Sequence, residues 1–186
     1  MENKQKILII GGGARKHAIG WKIKQSPMCG DLYFAPGNGG TTEIGINVDI
    51  KATDIKALLE FVKREKVDLT LAIPDDPLAL GIVDEFQREG LKIFGPTKKA
   101  AQLESSKAFA KDFMTRHNLP SAKFRVCTDF NEAVAYISMQ KLPIVIIASG
   151  LALGKGVIIA QTQEEAEKAL EDIMVKKIFG ESGNEV

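Results

Sequence analysis

The chain has 186 residues, of which 45% are hydrophobic and 26% are charged, and its formal net charge at pH 7 is +1. Since a domain takes about 100–200 residues, this length predicts one large or two small domains with enough apolar side chains for a core. The nearly neutral charge gives no bulk attraction to nucleic acid or to an anionic membrane, so we expect neither as a partner.

The N-terminus and the cysteines argue against an exported or membrane-bound protein. The apolar part of "MENKQKILII" is too short for the core of a signal peptide, and no apolar stretch approaches the ~18 residues of a membrane-spanning helix. Cys29 and Cys127 form neither a C-x-x-C motif nor a disulfide framework. We therefore expect a cytoplasmic protein with two buried or half-buried thiols.

Strands and helices alternate along the first part of the chain. The predicted strands are "KILII" (6–10), "DLYFA" (31–35), "DLTLAI" (68–73) and "LKIFGP" (91–96). Helical patterns follow the first three strands, in "HAIGWKIKQ", in "ATDIKALLEFVKREKV" with Thr53 or Asp54 as its cap, and over residues 77–90. This alternation with short loops predicts an α/β domain of Rossmann-like type, with helices on both faces of a parallel sheet.

The topology of such a sheet predicts where a ligand binds. Ligands of open α/β sheets bind outside the carboxyl ends of the strands. The loops Gly11–Lys16, Pro36–Thr41 and Pro74–Pro77 each follow a predicted strand, so we expect them to share one edge of the sheet.

The pattern changes from Ser105 onward. A bridging helix with Phe109, Phe113 and Met114 predicted to be buried precedes a predicted strand at residues 122–127. A helix, two strands joined by a glycine-rich loop, and a last helix follow, the last with a capping box of Thr162 and Glu165. We therefore predict two domains, residues 1–121 and a small α+β lobe of residues 122–186 with an antiparallel strand pair.

The first glycine loop does not match a dinucleotide fingerprint. Gly11 and Gly13 supply its first two glycines, but Lys16 stands where the third is needed, and the second strand ends at Ala35 without a carboxylate. Glycines before a helix can still present backbone N–H groups to an anion, with Arg15, Lys16 and His17 able to add charge. The alternative is a tight turn with solvated charges.

The other loops each have two interpretations. The "APGNGG" segment is either a plain turn or a substrate loop, and in "PDDP" Asp75 can accept from a ligand amine while Asp76 caps a helix. The "SGLALGKG" segment places glycines around Lys155 between two strands, which is not the P-loop pattern. It is either a hinged flap that closes on phosphates or the tip of a hairpin.

Four stretches together resemble one enzyme family. They are "ILIIGGGARKHAIGWKIKQSP", "APGNGGT", "GLKIFGPTKKAAQLESSKAFAKDFM" and "GLALGKGVIIA", in this order, and the resemblance runs over essentially all of the chain. The family is that of the phosphoribosylamine–glycine ligases, ATP-grasp enzymes of de novo purine biosynthesis. The resemblance implies a pre-ATP-grasp domain, then a first ATP-grasp subdomain whose flap covers ATP. It implies that family members continue beyond Val186 with an acidic, magnesium-binding second half and a C-terminal domain.

The resemblance also implies a reaction and its site residues. ATP activates glycine as an acyl phosphate, which the amine of phosphoribosylamine attacks, so the implied small molecules are ATP, Mg²⁺, glycine and phosphoribosylamine. The implied substrate-binding residues are Gly12, Gly13, Arg15, His17, Pro36, Gly37, Asn38, Pro74 and Asp75. The implied ATP-binding residues are Lys107, Gly150, Gly154, Lys155 and Gly156. No catalytic residue or metal ligand is assigned within the chain.

The sequence departs from the family pattern at its ligand loops. Lys16 replaces a glutamate in the first loop, and Ile73 and Asp75 replace a glycine and a glutamate in the third. Ile147 and Ser149 replace a lysine and an aspartate before the flap. Because a charged contact contributes about 1.5–3 kcal/mol, loss of the lysine predicts roughly 10–100-fold weaker ATP binding.

Three functional hypotheses remain open at this point. The chain is an N-terminal portion of a ligase that is inactive alone, a non-catalytic module that binds a nucleotide or substrate, or one half of a split ligase. In the last case a second chain supplies the missing ATP-grasp half.

Overall fold

The structure, a computed structural model, describes residues 4–152 and 155–186. The chain divides into two compact units between Ala101 and Gln102. The sequence analysis placed the domain boundary between residues 121 and 122, and that boundary stays a prediction. No helix within the described ranges is long and apolar enough to cross a membrane.

The first unit contains a five-stranded parallel sheet. Its strands are β1 (Gln5–Ile10), β2 (Cys29–Ala35), β3 (Ile46–Asn47), β4 (Leu69–Ala72) and β5 (Ile93–Phe94). They lie in the order β3-β2-β1-β4-β5, and every neighbouring pair is parallel. The predicted α/β class and parallel sheet are therefore confirmed.

The central strand β1 is buried on both faces, as its uninterrupted apolar run predicts. Leu8 and Ile10 belong to one core, together with side chains of the helices that follow β3 and β4. Ile7 and Ile9 belong to a second core, against which Ile19 of the first helix packs. The alternation of side chains along a strand places these two cores on opposite faces of the sheet.

Five helices follow these strands, and local chemistry explains where several of them begin and end. They are α1 (Ala14–Lys24), α2 (Ile55–Glu65), α3 (Asp75–Leu80), α4 (Ile82–Arg88) and α5 (Lys98–Ser105). Of the two predicted caps, Thr53 and Asp54, it is Asp54 that caps α2, by accepting a hydrogen bond from the Ala57 amide at 3.1 Å. The single helix predicted over residues 77–90 is wrong, because the chain turns at Gly81 with φ +94° and starts a new helix there.

Helix α1 approaches the sheet closely at Gly20. A Cβ atom at this position would lie 2.7 Å from Cε1 of Phe34 in β2 and 3.3 Å from Cδ1 of Ile9 in β1. Since real Cβ atoms essentially never come within 3.0 Å of another heavy atom, the absent side chain sets the distance between α1 and the strands.

The second unit pairs a small antiparallel sheet with helices. Its elements are α6 (Lys107–Arg116), α7 (Phe130–Ser138), β6 (Ile144–Ile147), β7 (Val157–Ala160) and α8 (Gln163–Leu170). One face of the β6–β7 pair packs on α7 and α8 through Ile146 and Ala160. On the other face Val157 and Ile159 are 53% and 61% exposed. The predicted antiparallel α+β lobe is therefore confirmed.

Two details of the prediction for this unit are wrong. Residues 122–127 form no regular strand, because within the described residues only Cys127 exchanges both backbone hydrogen bonds, with Val186 at 2.9 and 3.0 Å. Phe109, Phe113 and Met114 are half-buried rather than buried. The rings of Phe109 and Phe113 stack on each other along α6, with centroids 6.5 Å apart, instead of entering a core.

Candidate functional site

The first glycine loop connects β1 to the N-terminus of α1. Gly11 has φ +111° and donates its amide to the Ala35 carbonyl at 2.6 Å, which ties the end of β1 to the end of β2. Gly13 occupies the N-cap position of α1 and has no side chain that could cap it. The first backbone N–H groups of α1 therefore face the loop, as an anion site requires.

The second loop is held against the first by Asn38. Its Nδ2 donates to the Gly12 carbonyl at 2.7 Å, and its Oδ1 accepts from the amides of Gly40 and Thr41 at 2.8 and 3.1 Å. Asn38 therefore uses its amide group to order the loops. Its predicted contact with substrate stays a prediction.

The third loop completes the cluster at the same edge of the sheet. The Pro74 ring lies 2.9 Å from the Cβ position of Gly11, and Asp75 begins α3 directly after it. The His17 ring covers Gly40 of the second loop, with Nδ1 2.9 Å from the glycine's Cβ position. The three loops thus meet, as the topology predicts.

This arrangement brings the predicted substrate-side residues into one loop cluster. The exposed Arg15 lies on the first turn of α1. Gly37, with φ +76°, packs against Thr41, whose Oγ1 is 2.8 Å from its Cβ position. The residues in the cluster are Gly12, Gly13, Arg15, His17, Pro36, Gly37, Asn38, Pro74 and Asp75.

Positive charge dominates the start of α1. The first turn contains no acidic residue, and Lys16 is buried, with only 7% of its surface exposed. Burial lowers the pKa of Lys16, the neighbouring Arg15 lowers that pKa further, and Asp75 opposes both. The N-terminus of a helix has a positive partial charge, which adds to the charges of these cations. A bound anion would therefore be stabilised at this turn.

In the second unit, a cavity of about 470 Å³ lies beside α6 and β6. Its wall is mostly apolar, and the ammonium-bearing side chains of Lys107 and Lys111 contribute to its lining, as do Ile147 and Ser149. The Lys107 Nζ donates to the Glu104 carbonyl at 2.8 Å. The predicted ATP-binding residue Lys107 and the substituted position 147 therefore line one cavity.

The glycine-rich loop is packed at both ends. The Gly150 amide donates to the Ser182 carbonyl at 3.1 Å, and the Gly156 carbonyl accepts from the Ala148 amide at 2.8 Å. Lys155 is exposed and is not part of the cavity lining. Gly154 lies outside the described residues. Phosphate binding by this loop stays a prediction.

Sequence reasoning missed the role of Ser149. Its Oγ accepts from the Ala108 amide at 3.1 Å and its carbonyl accepts from the Lys107 amide at 2.7 Å. Ser106, the N-cap of α6, accepts from the Phe109 amide at 3.1 Å. Ser149 therefore orders the N-terminus of α6, which bears Lys107, from a strand end more than 40 residues away in the sequence.

Two other residues were also missed. Lys111 follows Lys107 by four residues, so the two side chains fall on one helical face, and this spacing was a readable signal. Ser182 fills the space beside Gly150, with its Oγ 2.5 Å from the glycine's Cβ position, and its sequence neighbourhood contains no signal.

The described residues were searched for clusters of side chains that could bind a metal ion. Within residues 4–152 and 155–186 there is no group of three or more His, Cys, Asp or Glu side chains that could hold a metal ion. We therefore assign no Mg²⁺ ligand to this part of the chain.

Comparison with known proteins identifies both units. Residues 5–104 match the family model described as "Phosphoribosylglycinamide synthetase, N domain", and residues 105–186 match "Phosphoribosylglycinamide synthetase, ATP-grasp (A) domain". The phosphoribosylamine–glycine ligase of Yersinia pestis is 54% identical over 182 residues, which are 97% of this chain and 42% of that protein. The ligase of Escherichia coli K12 is 51% identical over 183 residues, covering 97% and 43%.

Solved structures agree with these matches. The phosphoribosylamine–glycine ligase from Thermotoga maritima is 30% identical, with a TM-score of 0.74 over 93% of this chain and 40% of that one. The biotin carboxylase domain of the Hydrogenobacter thermophilus 2-oxoglutarate carboxylase, at 15% identity and a TM-score of 0.75, shares the fold alone. The chain thus spans less than half the length of the relatives it matches, and it belongs to the phosphoribosylglycinamide synthetase family.

Proposed function

We propose that the chain forms the substrate-side domain and the first ATP-grasp lobe of a phosphoribosylamine–glycine ligase. The observation that carries the proposal is the meeting of three loops at the carboxyl edge of the parallel sheet, where α/β domains bind small ligands. The Lys107- and Lys111-lined cavity of the second unit supports the nucleotide side of the same proposal. We place this protein in the cytoplasm.

In the proposed reaction, the glycine carboxylate attacks the γ-phosphorus of ATP, giving glycyl phosphate and ADP. The amine of phosphoribosylamine then attacks the glycyl carbonyl, the C–O bond to phosphate breaks, and the amine loses a proton. The loop cluster of the first unit would hold glycine and phosphoribosylamine in contact. Lys107 and Lys111 would offset negative charge on the nucleotide, as cations do in phosphoryl transfer.

Magnesium would neutralise further phosphate charge in such a reaction. Because no group of three or more potential metal ligands is found among the described residues, no step here depends on the metal. Acidic ligands would come from residues outside the described ranges or from a second polypeptide. We expect the 186-residue chain to form no product alone.

A non-catalytic binding module is the second candidate. The observation that favours it is the apolar Ile147 in the cavity wall, beside a Lys107 ammonium that already donates to the Glu104 carbonyl. Such a module would bind phosphoribosylamine or its product in the first unit without ATP chemistry in the second.

The test is an assay of the purified chain with ATP, Mg²⁺, glycine and phosphoribosylamine, alone and mixed with a polypeptide containing the remaining segments of a related ligase. We expect glycinamide ribonucleotide only in the mixture, and loss of that product with Lys107→Met. Calorimetry with glycinamide ribonucleotide distinguishes the second candidate. Binding to the isolated chain without product in any mixture would contradict the ligase proposal and leave the module.

A further inference from the structure

Thr41, the last residue of the second loop, and Asn47 contact each other and have no role in the proposed function. Asn47 ends the edge strand β3, where the parallel pairing with Phe34 of β2 holds its backbone. Thr41 is completely buried, and Asn47 is half-buried. A Cβ atom on Gly37 would collide with the side-chain amide of Asn47, so the second loop packs directly on that amide. Asn47 therefore connects the sheet to the second loop.

The side chains of Thr41 and Asn47 form a closed ring of hydrogen bonds with the backbone of Asn38. The Asn38 amide donates to Thr41 Oγ1 at 2.8 Å, and Thr41 Oγ1 lies 2.6 Å from Asn47 Oδ1. Asn47 Nδ2 then donates to the Asn38 carbonyl at 2.7 Å. Side chains thus hold both backbone polar groups of Asn38.

The available acceptors fix the direction of each bond in this ring. The Asn38 carbonyl cannot donate, so the Nδ2 end of the Asn47 amide must face it. Thr41 Oγ1 also lies 2.8 Å from this carbonyl, but its single proton serves one acceptor. The carbonyl already accepts from Asn47 Nδ2 and from the Thr41 amide at 3.2 Å, whereas Asn47 Oδ1 has no other donor among the described residues. The hydroxyl therefore donates to Asn47.

The carbonyl held by this ring shares a peptide unit with the Gly39 N–H. A peptide unit is planar, and the bond between Asn38 and Gly39 is trans, so the two groups point in opposite directions. Fixing the carbonyl therefore fixes the direction of the Gly39 N–H. That N–H donates to no acceptor among the described residues, and a Cβ atom on the exposed Gly39 would meet nothing within 4 Å. The second loop thus presents an oriented donor to open space.

We propose that Asn47 and Thr41 are positioning residues, which act through the Asn38 peptide to hold the Gly39 N–H as a donor to the ligand of the first unit. The donor would bind an oxygen atom of that ligand, since carbonyl, carboxylate and hydroxyl oxygens accept from a backbone N–H. Side chains that fix a binding group by hydrogen bonds determine how precisely it meets the ligand. The proposal rests on the proposed function only for the identity of the ligand, a phosphoribosyl compound.

Two other roles for these residues would give different results. If the ring only stabilises the fold, its loss lowers the melting temperature while the folded chain keeps its affinity for the ligand. If Asn47 touches the ligand itself, removing the Thr41 hydroxyl leaves that affinity unchanged. Because Thr41 is completely buried, its hydroxyl can act on a ligand only through the ring.

The experiment is calorimetry of glycinamide ribonucleotide, the product of the proposed reaction, on the 186-residue chain. Asn47→Leu removes both side-chain bonds of the ring, and Asn47→Asp keeps an acceptor for Thr41 but sets a second oxygen against the Asn38 carbonyl. Thr41→Val removes the hydroxyl, and Thr41→Ser keeps it. Thr53→Val is the matched control, since it removes an exposed hydroxyl outside the loop cluster. Circular dichroism checks that each variant is folded at the temperature of the titration.

We expect Asn47→Leu, Asn47→Asp and Thr41→Val to weaken binding of glycinamide ribonucleotide at least fivefold, and Thr41→Ser and Thr53→Val to weaken it less. A smaller loss in Asn47→Leu or in Thr41→Val would overturn the proposal, as would a fivefold loss in Thr53→Val. If Asn47→Leu does not fold, Thr41→Val decides, because valine keeps the shape of threonine and leaves the Asn47 side chain in place.

NMR spectroscopy tests the Gly39 N–H directly. When the natural chain is saturated with glycinamide ribonucleotide, the Gly39 amide proton should move downfield, as a proton that enters a hydrogen bond does. In Thr41→Val at saturation this shift should be less than half as large. A Gly39 amide proton that does not respond to the ligand, or that responds equally in both chains, would overturn the proposal.

These measurements separate the positioning role from the ligase function. Binding needs neither ATP nor a second polypeptide, so a ligase assay without product contradicts the function and leaves a Thr41-dependent affinity standing. If the complemented chain forms product but the variants keep their affinity, only the positioning proposal fails. A natural chain that does not bind glycinamide ribonucleotide overturns the positioning proposal whatever the ligase assay gives.

Discussion

The two units place their candidate residues in different ways. In the first unit the loop cluster is held together by its own polar groups, as Asn38 shows with three hydrogen bonds to Gly12, Gly40 and Thr41. In the second unit the cavity has a mostly apolar wall with two lysines in its lining. The difference teaches that hydrogen bonds between its own residues fix the loop cluster, whereas the cavity wall offers few polar groups.

The departures from the family pattern also run in opposite directions. By the family pattern that the resemblance implies, Lys16 adds a cation at a turn that already favours anions, while Ile147 stands where a lysine is expected. The first change strengthens the positive potential of the loop cluster, and the second weakens that of the cavity. The predictions below test this contrast.

Restoring the lysine at position 147 should have the largest effect. Ile147 lines the cavity and is half-buried, so the ammonium of Ile147→Lys can reach both the cavity and solvent. A charged contact of about 1.5–3 kcal/mol would tighten ATP binding roughly 10–100-fold in calorimetry.

Ile159→Lys is the control, because it adds the same charge on the same face of the β6–β7 pair at a position outside the cavity lining. If the two variants gain the same affinity, the effect is bulk charge. A lower melting temperature for Ile147→Lys without any gain in affinity would contradict the nucleotide site itself.

The close packing of the loop cluster predicts a smaller effect at Gly12. A Cβ atom at this position would collide with the backbone carbonyl oxygen of Gly37, which cannot rotate away as a side chain can. Gly12→Ala should lower the free energy of unfolding by about 1–3 kcal/mol. Urea unfolding followed by the fluorescence of Trp21, the one tryptophan in the sequence, measures this change in the first unit.

Gly13→Ala provides the comparison for that measurement. Its Cβ atom would meet nothing within 4 Å, so only the slightly poorer N-cap propensity of alanine remains. We expect it to cost under ~1 kcal/mol. Equal stability of Gly12→Ala and Gly13→Ala would show that the close contact between Gly12 and the Gly37 carbonyl does not limit the size of residue 12.

Ser149→Ala tests how the second unit orders Lys107. The substitution leaves the Ala108 amide without its hydroxyl acceptor, and loss of such a cap costs about 1 kcal/mol. Ser138→Ala, which removes an exposed hydroxyl bonded to the Ala135 carbonyl, should cost less than ~0.5 kcal/mol. Urea unfolding followed by circular dichroism compares them, and equal costs would refute the capping role.

The smallest effect concerns the pKa of Lys16, lowered by burial and by Arg15 and partly restored by Asp75. Below its lowered pKa, Lys16 is protonated in both the folded and unfolded chains, so the cost of its burial is fully present. As pH rises through the lowered pKa, the folded chain loses the proton first, and stability increases relative to Lys16→Met. The free energy of unfolding of the natural chain should therefore rise relative to that of Lys16→Met as the pH passes upward through the lowered pKa, as urea titrations at several pH values would reveal.

Much of the first unit could be predicted because its signals are local. The apolar run of β1 indicated burial on both faces, and Asp54 was one of two predicted caps at the start of α2. The capping box of α8 also formed, with the Glu165 amide donating to Thr162 Oγ1 at 3.2 Å. Each of these features depends on residues within one turn or one strand.

The failures came where structure depends on distant partners. Residues 122–127 have strand-like composition, but a strand needs a neighbouring strand. Within the described part of the chain only Cys127 pairs its backbone in this way, with Val186. The amide of Asn38 bonds to Gly12, 26 residues earlier in the chain, so its use within the cluster was invisible to local pattern. The cap that Ser149 provides for α6 was missed for the same reason.

Gly20 has a consequence for how the first site can evolve. Because the Phe34 ring occupies the space where its side chain would stand, any larger residue would push α1 away from the sheet and displace the anion-facing turn at its start. The geometry of the loop cluster thus depends on a position that lies outside the cluster. A library that diversifies the loops for new phosphorylated substrates should keep Gly20 constant. Random mutation of all of α1 would mostly yield variants with a displaced helix, rather than variants with a changed substrate preference.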